Sequence, residues 1–188
     1  MKTSCLTSRL ALTSLLLILV SSLQGQNLNP NWNAELKSSL QQFLSCQGGS
    51  QACGKFIGES LNTVYRVNDF YSAKSGRYML PGEIAGFLKE SKQWKMLGHS
   101  YDQKVLSQAQ DHANSKKAVV AVYMNESGIG HVVVITPGQL QRSGSWGLDV
   151  PNAASFFPTQ PDKSFVDKGL SFAFGKTMLK DVVIYARN

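Results

Sequence analysis

AVVAVYMNESGIGHVVVIT, residues 118–136, decides the fold. Ala118 to Met124 and His131 to Thr136 are short runs rich in valine and other apolar residues. Between them lies Asn125 to Gly130 (NESGIG), a segment rich in Asn, Ser and Gly. Runs of this length bounded by turn formers read as strands, and unbroken apolar character predicts that both faces are covered. Pro137-Gly138 marks the next turn. A third strand is expected within Leu140 to Val150, and Ser171 to Phe174 and Asp181 to Ala186 supply two more.

Upstream of residue 118 the period changes from two to that of a helix. Asn33 can cap a first helix with Leu36, Leu40, Phe43 and Leu44 on one stripe. Cys46 to Gln51 (CQGGSQ) reads as a flexible loop. A second helix is expected from near Cys53, because Phe56, Ile57, Leu61, Val64 and Tyr65 recur at helical spacing. Asn68 to Met79 reads as irregular. Pro81 is placed to open a third helix carrying Ile84, Phe87 and Leu88. Asp102 to Ala113 predicts a fourth, with Val105, Leu106 and Ala109 inward. Helices first and adjacent strands second give an α+β class, with helices packed on an antiparallel sheet of about five strands.

The first 26 residues read as a secretory signal peptide. Lys2 and Arg9 precede the apolar run Leu10 to Val20, and small and polar residues follow. The run is shorter than the roughly 20 residues a spanning helix needs, so a cleaved leader is expected and no stable membrane anchor. Residues 27–188 then form one domain in a secreted or periplasmic protein. The full chain has 19 Lys plus Arg against 12 Asp plus Glu. Without Lys2 and Arg9 that leaves 17 against 12, a net +5. The excess is scattered, which suits solubility or mild attraction to anionic polymers. It carries no nucleic-acid motif.

Cys46 and Cys53 are the cysteines that survive leader removal. In an oxidising compartment they are candidates for a short disulfide. Cys53 at a helix start is also a candidate nucleophile, because unsatisfied N–H groups and the helix dipole favour a thiolate. His131, between a glycine turn and VVVI, is the matching candidate base; its plain alternative is a histidine satisfied by backbone carbonyls. If Pro137-Gly138 folds the next strand back on His131, Asp149 or Asn152 reaches the ring as third residue. His99 and His112 are expected on a surface loop and a surface helix. No metal-ligand spacing occurs, and no cofactor is expected.

The order of a helix-opening Cys, a Gly-His strand start and a following polar residue resembles the NlpC/P60 and CHAP superfamily of cell-wall peptidases and amidases. Cys53 to Pro151 carries the resemblance. Similar bacterial sequences have a helix like PGEIAGFLKES, a Trp like Trp94, strands like AVVAVYMN and GHVVVITPG, and a segment like Ser143 to Pro151. The chain departs from many relatives in having Gly54 after the Cys and no Tyr ahead of it in the mature chain. The resemblance implies a papain-like fold and cofactor-independent hydrolysis of amide bonds in peptidoglycan peptides. Cys53 would be nucleophile, His131 base, and Asp149 or Asn152 the orienting residue. The alternatives are a secreted non-catalytic binding or inhibitor module stapled by Cys46–Cys53, and a papain-like protease acting on proteins. No protein inhibitor is identified from the sequence.

Overall fold

A computed structural model describes residues 27–128 and 130–188. The expected leader, residues 1–26, lies outside the described residues. Helix α1 (Trp32–Leu44) buries Leu36 and Phe43. Leu44, expected on the same stripe, is 48% exposed because it falls in the last turn as the helix ends at Ser45. The segment expected as a loop contains a short helix, α2 (Gly49–Cys53), followed through Gly54 by α3 (Lys55–Tyr65). α3 buries Phe56, Ile57, Leu61, Val64 and Tyr65, the residues whose spacing predicts it. It stops at Arg66, which turns left-handed at φ 53° and donates its N–H to Asn62.

A small hairpin follows, β1 (Tyr71–Ser72) with β2 (Arg77–Tyr78). α4 (Pro81–Glu90) opens on Pro81, as the sequence predicts. The Glu83 carboxylate caps it by accepting the Leu80 N–H at 2.7 Å and also pairs with Arg77. Next comes β3 (Trp94–His99), a strand absent from the sequence reading. Its exposed Lys95 and Met96 and its internal Gly98 hide the strand pattern. α5 (Gln103–Asn114) is capped by Asp102, which accepts the Lys104 N–H, and buries Val105, Leu106 and Ala109.

The main sheet is built from β3, β4 (Val119–Met124), β5 (Gly130–Ile135), β8 (Asn152–Ser155), β9 (Phe165–Gly169) and β10 (Val182–Arg187), after a separate hairpin of β6 (Gln141–Ser143) and β7 (Leu148–Val150). Its order is β3-β10-β4-β5-β8-β9, and each of these pairs is antiparallel. The class is α+β, with four helices of ten residues or more among the described residues and six strands rather than about five. β4 and β5 are central, which explains their unbroken valines: Val119, Val120, Val132, Val133 and Val134 are all buried. Each such side chain contributes roughly 1.5–3 kcal/mol on burial. Ser171 to Phe174, expected as a strand, instead forms a short 3-10 turn after β9, and Phe172 points to solvent.

Candidate active site

The expected partner strand of β5 is the wrong one. Leu140 to Val150 closes on itself as β6 and β7, and β8 is what pairs with β5. The register sets Ile135 opposite Ala153 and Val134 opposite Ala154. Asn152 therefore lies beside Thr136, at the far end of β5 from His131, and Ser155 lies towards the His131 end.

Neither residue expected to orient His131 does so. Asp149 is half exposed and pairs with Arg142 at 3.4 Å, while its backbone is held by the Gln103 amide. Asn152 is 2% exposed and locked into a polar network. Its side-chain amide donates to Thr136 Oγ1 at 3.0 Å and Asp167 Oδ1 at 2.9 Å, and its oxygen accepts from Gln141 Nε2 at 2.8 Å. That network joins β5, β8, β9 and the β6 hairpin, so its role is to hold the sheet together.

His131 takes Ser155 instead. The His131 Nε2 and the Ser155 Oγ are 2.7 Å apart, and Ser155 is fully buried. Phe157 stacks on the imidazole at 4.0 Å between ring centroids, and Phe174 meets it edge-on at 5.8 Å. Tyr123 sits directly opposite on β4. Burial among these rings pushes the imidazole down to about 4, so it is neutral at neutral pH. Among the described residues no second hydrogen bond occupies the ring, which leaves Nδ1 for another group. Aromatic residues flanking an otherwise polar strand end, as in Ser155-Phe156-Phe157, were the available sequence signal for this environment.

Cys53 closes α2, one residue ahead of Gly54, the cap of α3. It is 5% exposed and disulfide-bonded to Cys46. The expectation of a free Cys53 is thereby corrected for this state: the short disulfide, weighed as an alternative, is formed, and it leaves no thiolate. The helix expected to begin near Cys53 does so, at Lys55.

α3 packs on β5 from the face opposite the His131 side chain. At one end, the Tyr65 hydroxyl donates to the Ile135 carbonyl at 2.6 Å. At the other, Phe56 stacks on Phe156 at 6.0 Å, and the adjacent Phe157 covers His131. Lys55 to Tyr65 rises about 15 Å, and His131 to Ile135 extends about 13 Å. Helix and strand thus run in the same direction. Alternation along β5 and β8, however, puts His131 with Tyr123 and Ser155 on one face and Phe156, which meets Phe56 of α3, on the other. The fold therefore does not bring Cys53 and His131 together.

The other histidines are elsewhere. His99 lies on β3 rather than in a loop, stacked on Tyr101, and its buried Nδ1 has no partner. His112 is half-buried on α5. Among the described residues no group of three or more His, Cys, Asp or Glu side chains could hold a metal, and no helix is long and apolar enough to cross a membrane. Comparison of the chain with protein-family models and with curated proteins returned no match.

Proposed function

We propose that the chain is a secreted cysteine hydrolase of papain-like fold, acting on amide bonds of peptidoglycan peptides in its thiol form. The catalytic part of this reading is supported by the resemblance of the Cys53 and Gly130-His131 order to cell-wall hydrolases and by the rigid setting of His131, whose ring is held by Ser155 and stacked on Phe157. The His131 ring is anchored through Nε2 by Ser155, which leaves Nδ1 as the nitrogen that would exchange the proton. In the reaction, the Cys53 thiolate adds to the amide carbonyl, and protonated His131 gives its proton to the departing amine. A thioester remains. Water, deprotonated by His131, attacks it and releases the acid and the thiolate. The substrate class follows from the resemblance to cell-wall hydrolases, aided by the +5 charge of residues 27–188 opposite an often anionic wall.

The Cys46–Cys53 bond favours a second reading, a stapled module without activity. Incubation of fully reduced protein with purified wall fragments, followed by mass analysis of the products, separates the two. New amino and carboxyl ends that vanish in Cys53→Ala support the hydrolase. Intact fragments support the stapled module, and cleaved casein beside intact fragments supports a general protease.

A further inference from the structure

Where α4 packs against β4 and β10, the fold leaves a cleft of about 170 Å³. Strand register explains what lines it. Val122 of β4 stands opposite Val183 of β10, with Tyr185 two residues further on, so all three side chains share one face of the sheet. Ala85 and Lys89, four residues apart, come from one face of α4. Ala85 contributes only a methyl group where a longer side chain would close the gap. Asp181, immediately before β10, completes the wall.

We propose that this cleft binds a free amino acid with an apolar side chain, its carboxylate on Lys89 and Tyr185 and its ammonium on Asp181. The cleft involves neither Cys53 nor His131, so it stands apart from the chemistry proposed for them.

Three polar groups line this space without a protein partner. Tyr185 is 8% exposed, and among the described residues no hydrogen bond reaches its hydroxyl. A buried phenol ordinarily finds a partner, as Tyr65 does at the Ile135 carbonyl. Neither Lys89 nor Asp181 belongs to an ion pair among the described residues, whereas the exposed Arg77 and Arg142 pair with Glu83 and Asp149. Opposite charges on one small cleft that do not meet each other suit a ligand carrying both signs. A ligand with one charge would leave the other wall unmatched, and a saccharide would match neither.

Size and lining set the rest of the ligand. The floor is formed by Ala85, Val122 and Val183, of which Ala85 and Val122 are almost fully buried. A cavity of about 150 Å³ lined by aliphatic side chains holds benzene. A cleft of about 170 Å³ therefore takes one amino acid with a valine- or leucine-sized side chain, and not a longer peptide. Past Met124 and Asp181 it adjoins a wider cleft of about 420 Å³, walled by Glu126, Ser127 and Lys180, which gives entry from solvent.

The test titrates the isotope-labelled full chain, its disulfide intact, with L-valine, L-leucine and L-methionine. Each is taken to about 10 mM, which saturates even a site with a Kd of ~1 mM. At least one should give saturable shifts of the Ala85, Val122 and Val183 amide signals. The analogue of that amino acid lacking the ammonium, and its amide lacking the carboxylate, should each bind about tenfold more weakly or worse. Lys89→Met and Asp181→Asn should weaken binding to a similar extent, and Tyr185→Phe by a smaller factor, with the remaining signals unmoved. Ala85→Leu, which fills the cleft, should abolish the shifts. Absence of saturable shifts with all three amino acids overturns the proposal. So does binding that survives both Lys89→Met and Asp181→Asn, or analogues that bind as tightly as their parent.

Discussion

Ser155 and His131 meet across the β5–β8 pair, with the hydroxyl oxygen 2.7 Å from the imidazole Nε2. The serine is fully buried and lies on a strand whose register is set by Ala153 and Ala154, so its position is not free to drift. A ring held at Nε2 and stacked on Phe157 presents Nδ1 in one direction. That makes Ser155 a positioning residue for whatever Nδ1 serves.

Ser155→Ala removes this anchor without emptying the core. In reduced protein kcat should fall about fivefold, the worth of one hydrogen bond of roughly 1 kcal/mol, with KM unchanged. The His131 ring should also lose its single tautomer in nitrogen NMR spectra. Unchanged kcat together with an unchanged tautomer would remove Ser155 from the site.

Asp149 and Asn152 should separate cleanly in denaturant unfolding. Asp149→Ala loses one exposed ion pair and should shift stability by no more than about 0.5 kcal/mol. Asn152→Ala strands Thr136, Asp167 and Gln141 around a buried gap and should cost about 2–4 kcal/mol. Neither should change the kcat of the folded, reduced protein by more than about twofold. A specific loss of kcat in Asp149→Ala would restore it as a catalytic partner.

The central strands and the four long helices were legible because each has a local cause. Valine runs in β4 and β5 reflect coverage on both faces, and Pro81 and Asp102 mark helix starts. The third site residue was not legible. Choosing between β6–β7 and β8 as the neighbour of β5 depends on which segment pairs over distance, and Pro137-Gly138 does not decide that. Ser155 also looks like any buried serine until its register with β5 is known. β3 escaped for a related reason: its pairing with β10, from His99 with Val183 to Trp94 with Arg187, compensates for a weak strand pattern.

Acid should destabilise the oxidised protein through His131. The free imidazole titrates near about 6.5, whereas burial holds the folded one at about 4. Between those values the unfolded chain takes up a proton that the folded chain refuses. Stability is therefore complete above the upper value and falls as pH drops towards the lower one, by up to about 3 kcal/mol. Urea unfolding of wild type and His131→Phe across this window measures it. The variant should keep only a shallow slope from His112, whose pKa burial and Lys117 also lower. Equal slopes in the two proteins would mean that the His131 ring is solvated.

The pairing of Cys53 with His131 is tested most directly by titrating the His131 ring, by NMR, in oxidised and fully reduced protein. With the disulfide intact the imidazole has no anion beside it, and its pKa should lie near about 4. If the proposed pair forms, reduction brings a thiolate beside Nδ1, and an adjacent opposite charge favours the imidazolium. The reduced pair should then titrate together, with the ring protonating well above 4, in or beyond the ordinary histidine range. Reduced Cys53→Ser should stay at the low value. A His131 pKa that remains near 4 in the reduced wild type would contradict the account, because it would mean that the freed Cys53 sulfur is not beside the ring.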